Sequence, residues 1–280
     1  MLLIADSGST KTDWLLLKDG KEYLSFKTVG FNPYFIDTQH VYDILKEDFS
    51  EKFDLYAVKE VFFYGAGCSS ESKQAVINNA LKQLFPKAIT DVDHDLLGAA
   101  RAILGREKGI AGILGTGSNS CLYDGTNVVE SLFSLGYMFG DEGSGAHLGK
   151  TYISQHLKKQ VPQELYDEFM KEPGYSPEDI LTYIYKKPNP NRFLASFALF
   201  LKRNIDHPFV HNLVVNCFDE YFKEQVSKFT GYRDLPFSYI GSVGYNFSTQ
   251  LEEAAARHGI SIGRCMVSPM EGLMEFHLNG

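Results

Sequence analysis

Two short segments of the chain combine glycine with hydroxyl side chains directly after an apolar run. Residues 6–12 read DSGSTKT and follow the run at 2–5, and residues 115–120 read GTGSNS and follow the run at 109–114. Turns of such small residues let backbone N–H groups and hydroxyls approach the oxygens of a phosphate. The candidate contacts are Ser9, Thr10, Lys11 and Thr12 in the first segment and Gly115, Thr116 and Gly117 in the second.

Each of the two segments alone also fits an ordinary polar turn. Neither is a Walker loop, because no Gly-Lys-Ser/Thr sequence follows, so the functional interpretation depends on finding both in matching contexts. Asp6, at the end of its apolar run, could hold Mg²⁺ directly or through water. Lys11 could supply a point positive charge. Together these groups predict a site for the phosphates of a nucleotide.

An acidic cluster at residues 91–95 reads DVDHD. It lies between a strand-like segment and a helix-like segment of small apolar residues, so Asp95 should fall in or just before the first helical turn. A carboxylate there is usually a helix cap. One that faces a substrate could instead accept the proton of a hydroxyl that attacks a phosphate. A dinuclear metal site formed by Asp91, Asp93 and Asp95 is a further alternative.

The glycine-dense segment GYMFGDEGSG at residues 136–145 predicts a tight loop that opens a helix. Asp141 in this loop could accept paired hydrogen bonds from neighbouring hydroxyls of a sugar. The alternative is that Asp141 or Ser144 caps the helix. Asn32 could likewise donate and accept toward a polyol, although the pair Asn32-Pro33 is also a turn signal.

A third glycine segment, GSVG at residues 241–244, follows a strand-like run at 237–240. Gly241, Ser242 and Gly244 could let a flat purine ring lie against the backbone. The alternative is an ordinary turn between a strand and a helix.

The elements that must position these groups occur in two similar copies. Residues 1–30 predict three strands joined by tight turns, and residues 109–125 repeat the order of strand, small-residue turn, strand and Asp-Gly turn. Two similar halves that face a shared cleft explain this repeat better than a solenoid does. Further predicted helices cover 42–49, 70–85, 95–104, 249–258, 270–278 and most of 145–228, and further predicted strands cover 61–67, 88–92, 237–240 and 260–267.

The bulk composition fits a globular protein of two domains. The 280 residues carry 27 Lys and Arg against 35 Asp and Glu, a net charge of −8, which argues against a nucleic-acid partner but not against a nucleotide. No apolar run approaches the roughly 20 residues needed to span a bilayer, and the apolar start is too short for a secretory signal. The four cysteines form no CxxC pair. We therefore expect a cytoplasmic protein with reduced thiols and no membrane partner.

Taken in order, the glycine segments resemble the BadF/BadG/BcrA/BcrD-type ATPase family, especially its N-acetylglucosamine kinase branch, within the actin, Hsp70 and sugar-kinase superfamily. The most specific part is the stretch GDEGS at residues 140–144. The resemblance implies an α/β chain with the two-domain actin-like ATPase (ribonuclease H-like) fold, in which duplicated mixed sheets flank a central ATP cleft. The implied domains are residues 1–105 and 106–269, with a terminal helix at 270–280 that returns to the first domain.

The resemblance also implies roles for the candidate residues. The cofactors would be ATP and Mg²⁺, with Mg²⁺ at Asp6, and Asp95 would be the general base. The sugar would lie among Asn32, Ser118, Asn119 and Asp141. The implied reaction phosphorylates the 6-hydroxyl of an amino sugar, with N-acetylglucosamine as the leading candidate, and homodimers are common among such kinases.

Two other functions remain open at this point. The chain could be an ATP-driven activator of a radical dehydratase or reductase, whose subunits share an iron–sulfur cluster through cysteines, here Cys68 and Cys121. It could also be a regulatory nucleotide-binding module without activity. Such a module would be expected to lose Asp95 or the loop glycines, and both are present.

Overall fold

The computed structural model describes residues 1–8, 11–171 and 176–279. The chain forms two compact units. The first contains Met1–Arg106 and Pro269–Gly280, and the second contains Glu107–Ser268.

The first unit is built on a mixed sheet of five strands in the order β3-β2-β1-β4-β5. Strands β1, β2 and β3 are antiparallel neighbours, and β1, β4 and β5 run parallel. The elements are β1 (Leu2–Ser7), β2 (Lys11–Lys18), β3 (Lys21–Val29), α1 (Thr38–Phe49), β4 (Glu60–Gly65), α2 (Glu71–Leu84), β5 (Ile89–His94), α3 (Asp95–Leu104) and a terminal helix (Met270–Leu278).

The second unit repeats this plan, with β6 in the central position of β1 and the strand order β10-β9-β6-β7-β8. Most of its remaining chain is helical, as predicted. The elements are β6 (Gly109–Leu114), β7 (Ser118–Tyr123), β8 (Val128–Ser131), α4 (Gly136–Phe139), α5 (Gly145–Leu157), α6 (Gln163–Phe169), α7 (Pro177–Lys186), α8 (Pro190–Ser196), α9 (Ala198–Arg203), α10 (Pro208–Glu224), β9 (Phe237–Ile240), α11 (Ser242–Asn246), α12 (Ser248–Arg257) and β10 (Ile262–Met266).

The apolar pattern explains why these segments form their elements. Strand β1 is nearly continuous in apolar residues because it is central and covered on both faces, whereas β3, at the sheet edge, alternates between half-buried and exposed positions. Helix α3 is buried along almost its whole length, which its small residues permit. Helix α1 begins four residues before its predicted start, because the Asp37 carboxylate accepts the His40 N–H and caps it.

The duplicated sheets place the candidate residues at comparable edges. In the first unit the parallel strands β1, β4 and β5 end in register at Ser7, Gly65 and His94. In the second, β6 and β9 pair Ile113 with Ile240. Ligands of open α/β sheets bind outside the carboxyl ends of parallel strands. Among the helices in the described ranges, none has the length and apolar character required to cross a bilayer.

Candidate active site

Two carboxylates meet at the carboxyl edge of the first sheet. Asp6 lies near the end of β1, and Asp95 is the first residue of α3, directly after β5. Both are half-buried. Asp6 is also paired across the sheet with Asp13 of β2. Within the described part of the chain, no lysine, arginine or histidine nitrogen lies within 4.0 Å of the Asp6 or Asp95 carboxylate.

Burial and mutual repulsion disfavour the charged forms of this pair. Burial raises the pKa of Asp6 to about 7, and repulsion from Asp95 and Asp13 adds to the shift, which Lys11 partly opposes. Burial also raises the pKa of Asp95, opposed by His94 and by backbone N–H groups. The site therefore holds more negative charge than the protein itself neutralises.

The donor set fits a divalent cation that brings most of its own ligands. Hard oxygen ligands with unneutralised charge suit Mg²⁺, which usually keeps several waters and takes only one or two carboxylates together with substrate phosphates. No group of three or more metal-binding side chains occurs in the described ranges. The alternative dinuclear site of Asp91, Asp93 and Asp95 is therefore wrong, since these three described carboxylates do not form such a group.

Asp95 does not cap α3. The cap is His94, whose Nδ1 accepts the Leu97 N–H at 3.1 Å. The Asp95 carboxylate accepts the adjacent Leu96 N–H at 2.9 Å and its own backbone N–H. A half-buried carboxylate that does not cap a helix and whose pKa is raised has the properties of a general base.

The hairpin between β1 and β2 is closed by buried hydroxyls. Ser7 Oγ and Thr12 Oγ1 lie 2.8 Å apart, and Thr12 Oγ1 donates to the Val29 carbonyl at 3.0 Å. The Thr12 hydroxyl is fully buried and already bonded, which disfavours it as a phosphate contact, and the phosphate contact expected of Thr12 stays a prediction. Lys11 Nζ pairs with Asp13 at 2.6 Å and is more than half exposed. The other two candidates of this hairpin, Ser9 and Thr10, lie outside the described residues.

Asn32 is held in a defined position after β3. Its Oδ1 accepts the Tyr34 N–H at 3.0 Å and packs against Gly67, where a Cβ would lie 2.5 Å from that oxygen. Gly67 also has a positive φ of 83°. The turn interpretation is thus correct for the side-chain oxygen Oδ1 of Asn32. The side-chain nitrogen Nδ2 is the group that could donate to a ligand.

Replacing Asp6 with asparagine should stabilise the folded protein at pH 8 while weakening Mg²⁺ binding. A raised pKa in the folded state means that the ionised form costs stability above about pH 7, and its removal should gain about 1–3 kcal/mol, reduced for partial exposure. Urea unfolding in EDTA measures the gain. The control is Asp43→Asn on α1, and a loss of stability in Asp6→Asn would contradict the repulsion inferred for this edge.

In the second unit, the β6–β7 turn has two N–H groups without a partner among the described residues. The carbonyls of Gly115 and Thr116 accept the N–H groups of Gly145 at 2.9 Å and Ala146 at 3.1 Å, at the start of α5. The N–H groups of Thr116 and Gly117 donate to no group in the described part of the chain. Two adjacent free N–H groups on a small-residue turn form the kind of concavity that binds an anion.

Asp141 lies beside this turn in a left-handed conformation, with φ of 57°. Its carboxylate packs against Gly117, where a Cβ would lie 2.9 Å from Oδ2. Burial raises the pKa of Asp141 to about 6, although a hydrogen bond from the Ser118 N–H opposes the shift. The cap of α5 is Ser144, whose Oγ accepts the His147 N–H. Asp141 is therefore not a cap, and its carboxylate is available to a ligand.

Ser118 and Asn119 have polar groups that are already bonded within the protein. Ser118 Oγ is buried and donates to the Glu142 carbonyl at 2.7 Å, which disfavours that hydroxyl as a sugar contact, and the sugar contact expected of Ser118 stays a prediction. Asn119 Oδ1 accepts the Ser120 N–H at 2.9 Å. The Ser118 N–H instead donates a hydrogen bond to the Asp141 carboxylate.

The segment at 241–244 approaches the β6–β7 turn closely. Gly241 has φ of 127°, and a Cβ on it would lie 2.3 Å from the Leu114 carbonyl oxygen. A Cβ on Gly244 would lie 2.7 Å from the ring of Tyr239. Ser242 is exposed beside them. The glycines therefore bring the predicted purine segment next to the predicted phosphate turn.

Sequence reasoning missed three residues around these sites. Asp13 could have been found, because a hairpin centred on residues 9–10 places it opposite Asp6. Glu142 and Gln225 are joined by a hydrogen bond of 3.1 Å across 83 positions of the chain, and no local pattern indicates such a pair.

Comparison with known proteins gives a full-length match. No family model and no curated protein matches the chain. The crystal structure of the "Putative N-acetylglucosamine Kinase" from Porphyromonas gingivalis is 42% identical in sequence, with a TM-score of 0.94 over 100% of this chain and 99% of that one. The chain belongs to the family of that protein. Without a matching family model, membership of the BadF/BadG/BcrA/BcrD-type ATPases stays a prediction.

More distant structures share the fold alone. The "Putative N-acetylglucosamine Kinase" from Chromobacterium violaceum has 18% identity and a TM-score of 0.72, and each chain is covered over 98%. A ROK family glucokinase from Streptomyces griseus, in complex with glucose and AMPPNP, has 13% identity and a TM-score of 0.55 over 98% of this chain and 97% of that one. The predicted actin-like α/β fold with duplicated mixed sheets is confirmed.

Proposed function

We propose that this protein is an ATP-dependent sugar kinase that phosphorylates the 6-hydroxyl of an amino sugar, with N-acetylglucosamine as the leading substrate. The observation that carries the proposal is the full-length identity of 42% with the "Putative N-acetylglucosamine Kinase" of Porphyromonas gingivalis. The carboxylates of Asp6 and Asp95 in the first unit and that of Asp141 in the second support it, because each has chemistry that such a reaction needs.

The second unit supplies the groups proposed for most of the nucleotide. The free N–H groups of Thr116 and Gly117 would donate to phosphate oxygens, and the backbone of 241–244 would receive the purine. In the first unit, Lys11 would exchange its partner Asp13 for a phosphate. Asp6 would hold Mg²⁺, which supplies charge neutralisation for the phosphates when bound.

In the proposed reaction, Asp95 accepts the proton of the sugar 6-hydroxyl as that oxygen attacks the γ-phosphorus. The O6–P bond forms, the bond from phosphorus to the β,γ-bridging oxygen breaks, and ADP leaves. Asp141 and the Asn32 amide orient the sugar through its hydroxyl and acetamido groups. Most of the rate acceleration in such a transfer comes from positioning and charge stabilisation.

A coupled assay of ADP release with a panel of sugars tests the proposal. N-acetylglucosamine should stimulate ADP release, and its 6-deoxy analogue should bind without stimulating it. Glucosamine, N-acetylmannosamine, N-acetylmuramic acid and glucose rank the specificity. If no sugar in the panel stimulates ADP release above the basal rate, the sugar-kinase proposal fails.

The structure offers little to the alternative of a radical-enzyme activator. Cys68 and Cys121 are both fully buried, the first in one unit and the second in the other. A cluster shared between subunits needs cysteine thiolates at the surface. A cytoplasmic location stays a prediction from the composition, and a homodimer stays a prediction of the resemblance.

A further inference from the structure

A buried glutamine is bonded to the loop at residues 140–144, which contains Asp141 and is called the Asp141 loop below. Gln225 follows α10 directly and is 9% exposed. Its Nε2 donates to Ser118 Oγ at 3.3 Å and to Glu142 Oε2 at 3.1 Å, and its Oε1 accepts from Ser120 Oγ at 3.3 Å. Both ends of one neutral amide are thus used to join β7 to the loop that contains Asp141.

The partners of Gln225 are the groups that hold Asp141. The Ser118 N–H donates to the Asp141 carboxylate, and Ser118 Oγ donates to the carbonyl of the next residue, Glu142. The left-handed conformation of Asp141 persists only when its surroundings over-determine it. Gln225 restrains this conformation through its hydrogen bonds to Ser118 and Glu142, rather than through the Asp141 carboxylate itself.

We propose that Gln225 is a positioning residue that fixes the Asp141 loop for binding of the sugar. This inference rests on the proposed sugar-kinase function. An amide is suited to the role, because a glutamate would place a like charge against Glu142 and an apolar side chain would leave Ser118, Ser120 and Glu142 without a shared partner.

The test compares Gln225→Met with Gln250→Met. Each replaces a buried glutamine of the second unit by an apolar side chain of similar length, and Gln250 bonds instead to His211 Nδ1 at 3.2 Å, outside this network. Gln225→Met should raise the KM for the sugar by about tenfold and leave the KM for ATP within about twofold, as expected when one hydrogen-bonded network is lost. Equal changes in both KM values, or the same change in Gln250→Met, would overturn the inference.

A second readout needs no activity. In Gln225→Met, amide hydrogen exchange should quicken at the Ser144 and Gly145 N–H groups, which bond to Asp141 and Gly115 in the wild type. Unchanged exchange there overturns the inference. If exchange quickens but the wild type phosphorylates no sugar, the loop support stands and the proposed function fails.

Should Gln225→Met not fold, Ser120→Ala replaces it in the test. This variant removes the donor to Gln225 Oε1 and, with it, the hydrogen bond between the Ser120 side chain and the Tyr221 hydroxyl. The KM for the sugar should then rise by about threefold, in line with one neutral hydrogen bond. No change in Ser120→Ala, in both the KM for the sugar and the exchange at Ser144, would count against the inference.

Discussion

Replacing Asp95 with asparagine should lower the turnover of the proposed kinase by about two to four orders of magnitude, the usual range for a positioned base. Asparagine keeps the size of the side chain and can still accept the Leu96 N–H, but it cannot take the proton of the sugar hydroxyl. Because His94 rather than Asp95 caps α3, the helix start should survive the change. The loss should therefore appear in kcat with the fold intact.

Steady-state kinetics with saturating ATP, Mg²⁺ and sugar measure this effect. Asp91→Asn is the matched control, since Asp91 lies four residues earlier on β5 and is exposed. ATP affinity, measured by calorimetry in the presence of Mg²⁺, should change little in either variant. Full turnover in Asp95→Asn would show that another group accepts the proton, and the assignment of the base would be abandoned.

The sequence was sufficient to predict the fold because its local signals agree with one another. Helix α3 begins at Asp95 and ends at Leu104, as its small apolar composition predicted. The three opening strands were also predicted correctly, because the apolar segments that form them are separated by turn-forming residues. The repeat of this plan after residue 109 made the duplicated architecture predictable.

The direction of individual side chains could not be predicted in the same way. Thr12 and Ser118 are both in glycine-rich segments, yet their hydroxyls face the protein interior, because the period of two along β2 and β7 decides which face each occupies. The sequence also does not show which of two neighbouring polar residues caps a helix. His94 and Ser144 are the N-caps of α3 and α5, so the carboxylates of Asp95 and Asp141 are available to bind a ligand.

Contacts across long stretches of the chain were beyond any local pattern. Gln225 meets Ser118 only because α10 packs near β7, 107 positions away in sequence. The approach of Gly241 to Leu114 depends likewise on the parallel pairing of β9 with β6. The sequence shows only that these positions are occupied by glutamine and glycine. Their contacts are known only from the folded chain.

Replacing Asp141 with asparagine should lower kcat/KM for the sugar by about 100-fold to 1000-fold, because charge-assisted hydrogen bonds to two hydroxyls contribute about 1.5–3 kcal/mol each before desolvation is subtracted. The KM for ATP should change far less. Asp19→Asn is the matched control, since Asp19 also has a positive φ, of 51°, but lies in the β2–β3 turn. Asparagine tolerates this conformation, so the loop should keep its backbone. Similar losses in the two variants would assign the effect to backbone strain instead.

The pH dependence of the wild type distinguishes the charge of Asp141 from its shape. Burial raises the pKa of this carboxyl to about 6, so the group gains its proton as the pH falls through that value. The protonated form accepts hydrogen bonds more weakly, and kcat/KM for the sugar should fall by up to about tenfold per pH unit below 6. Because the proposed base Asp95 also has a raised pKa and loses activity when it gains a proton, the effect of Asp141 is isolated in the dissociation constant of the sugar, measured by calorimetry without ATP. In Asp141→Asn the acid limb of that constant should disappear, and its persistence there would show that a different group controls sugar binding.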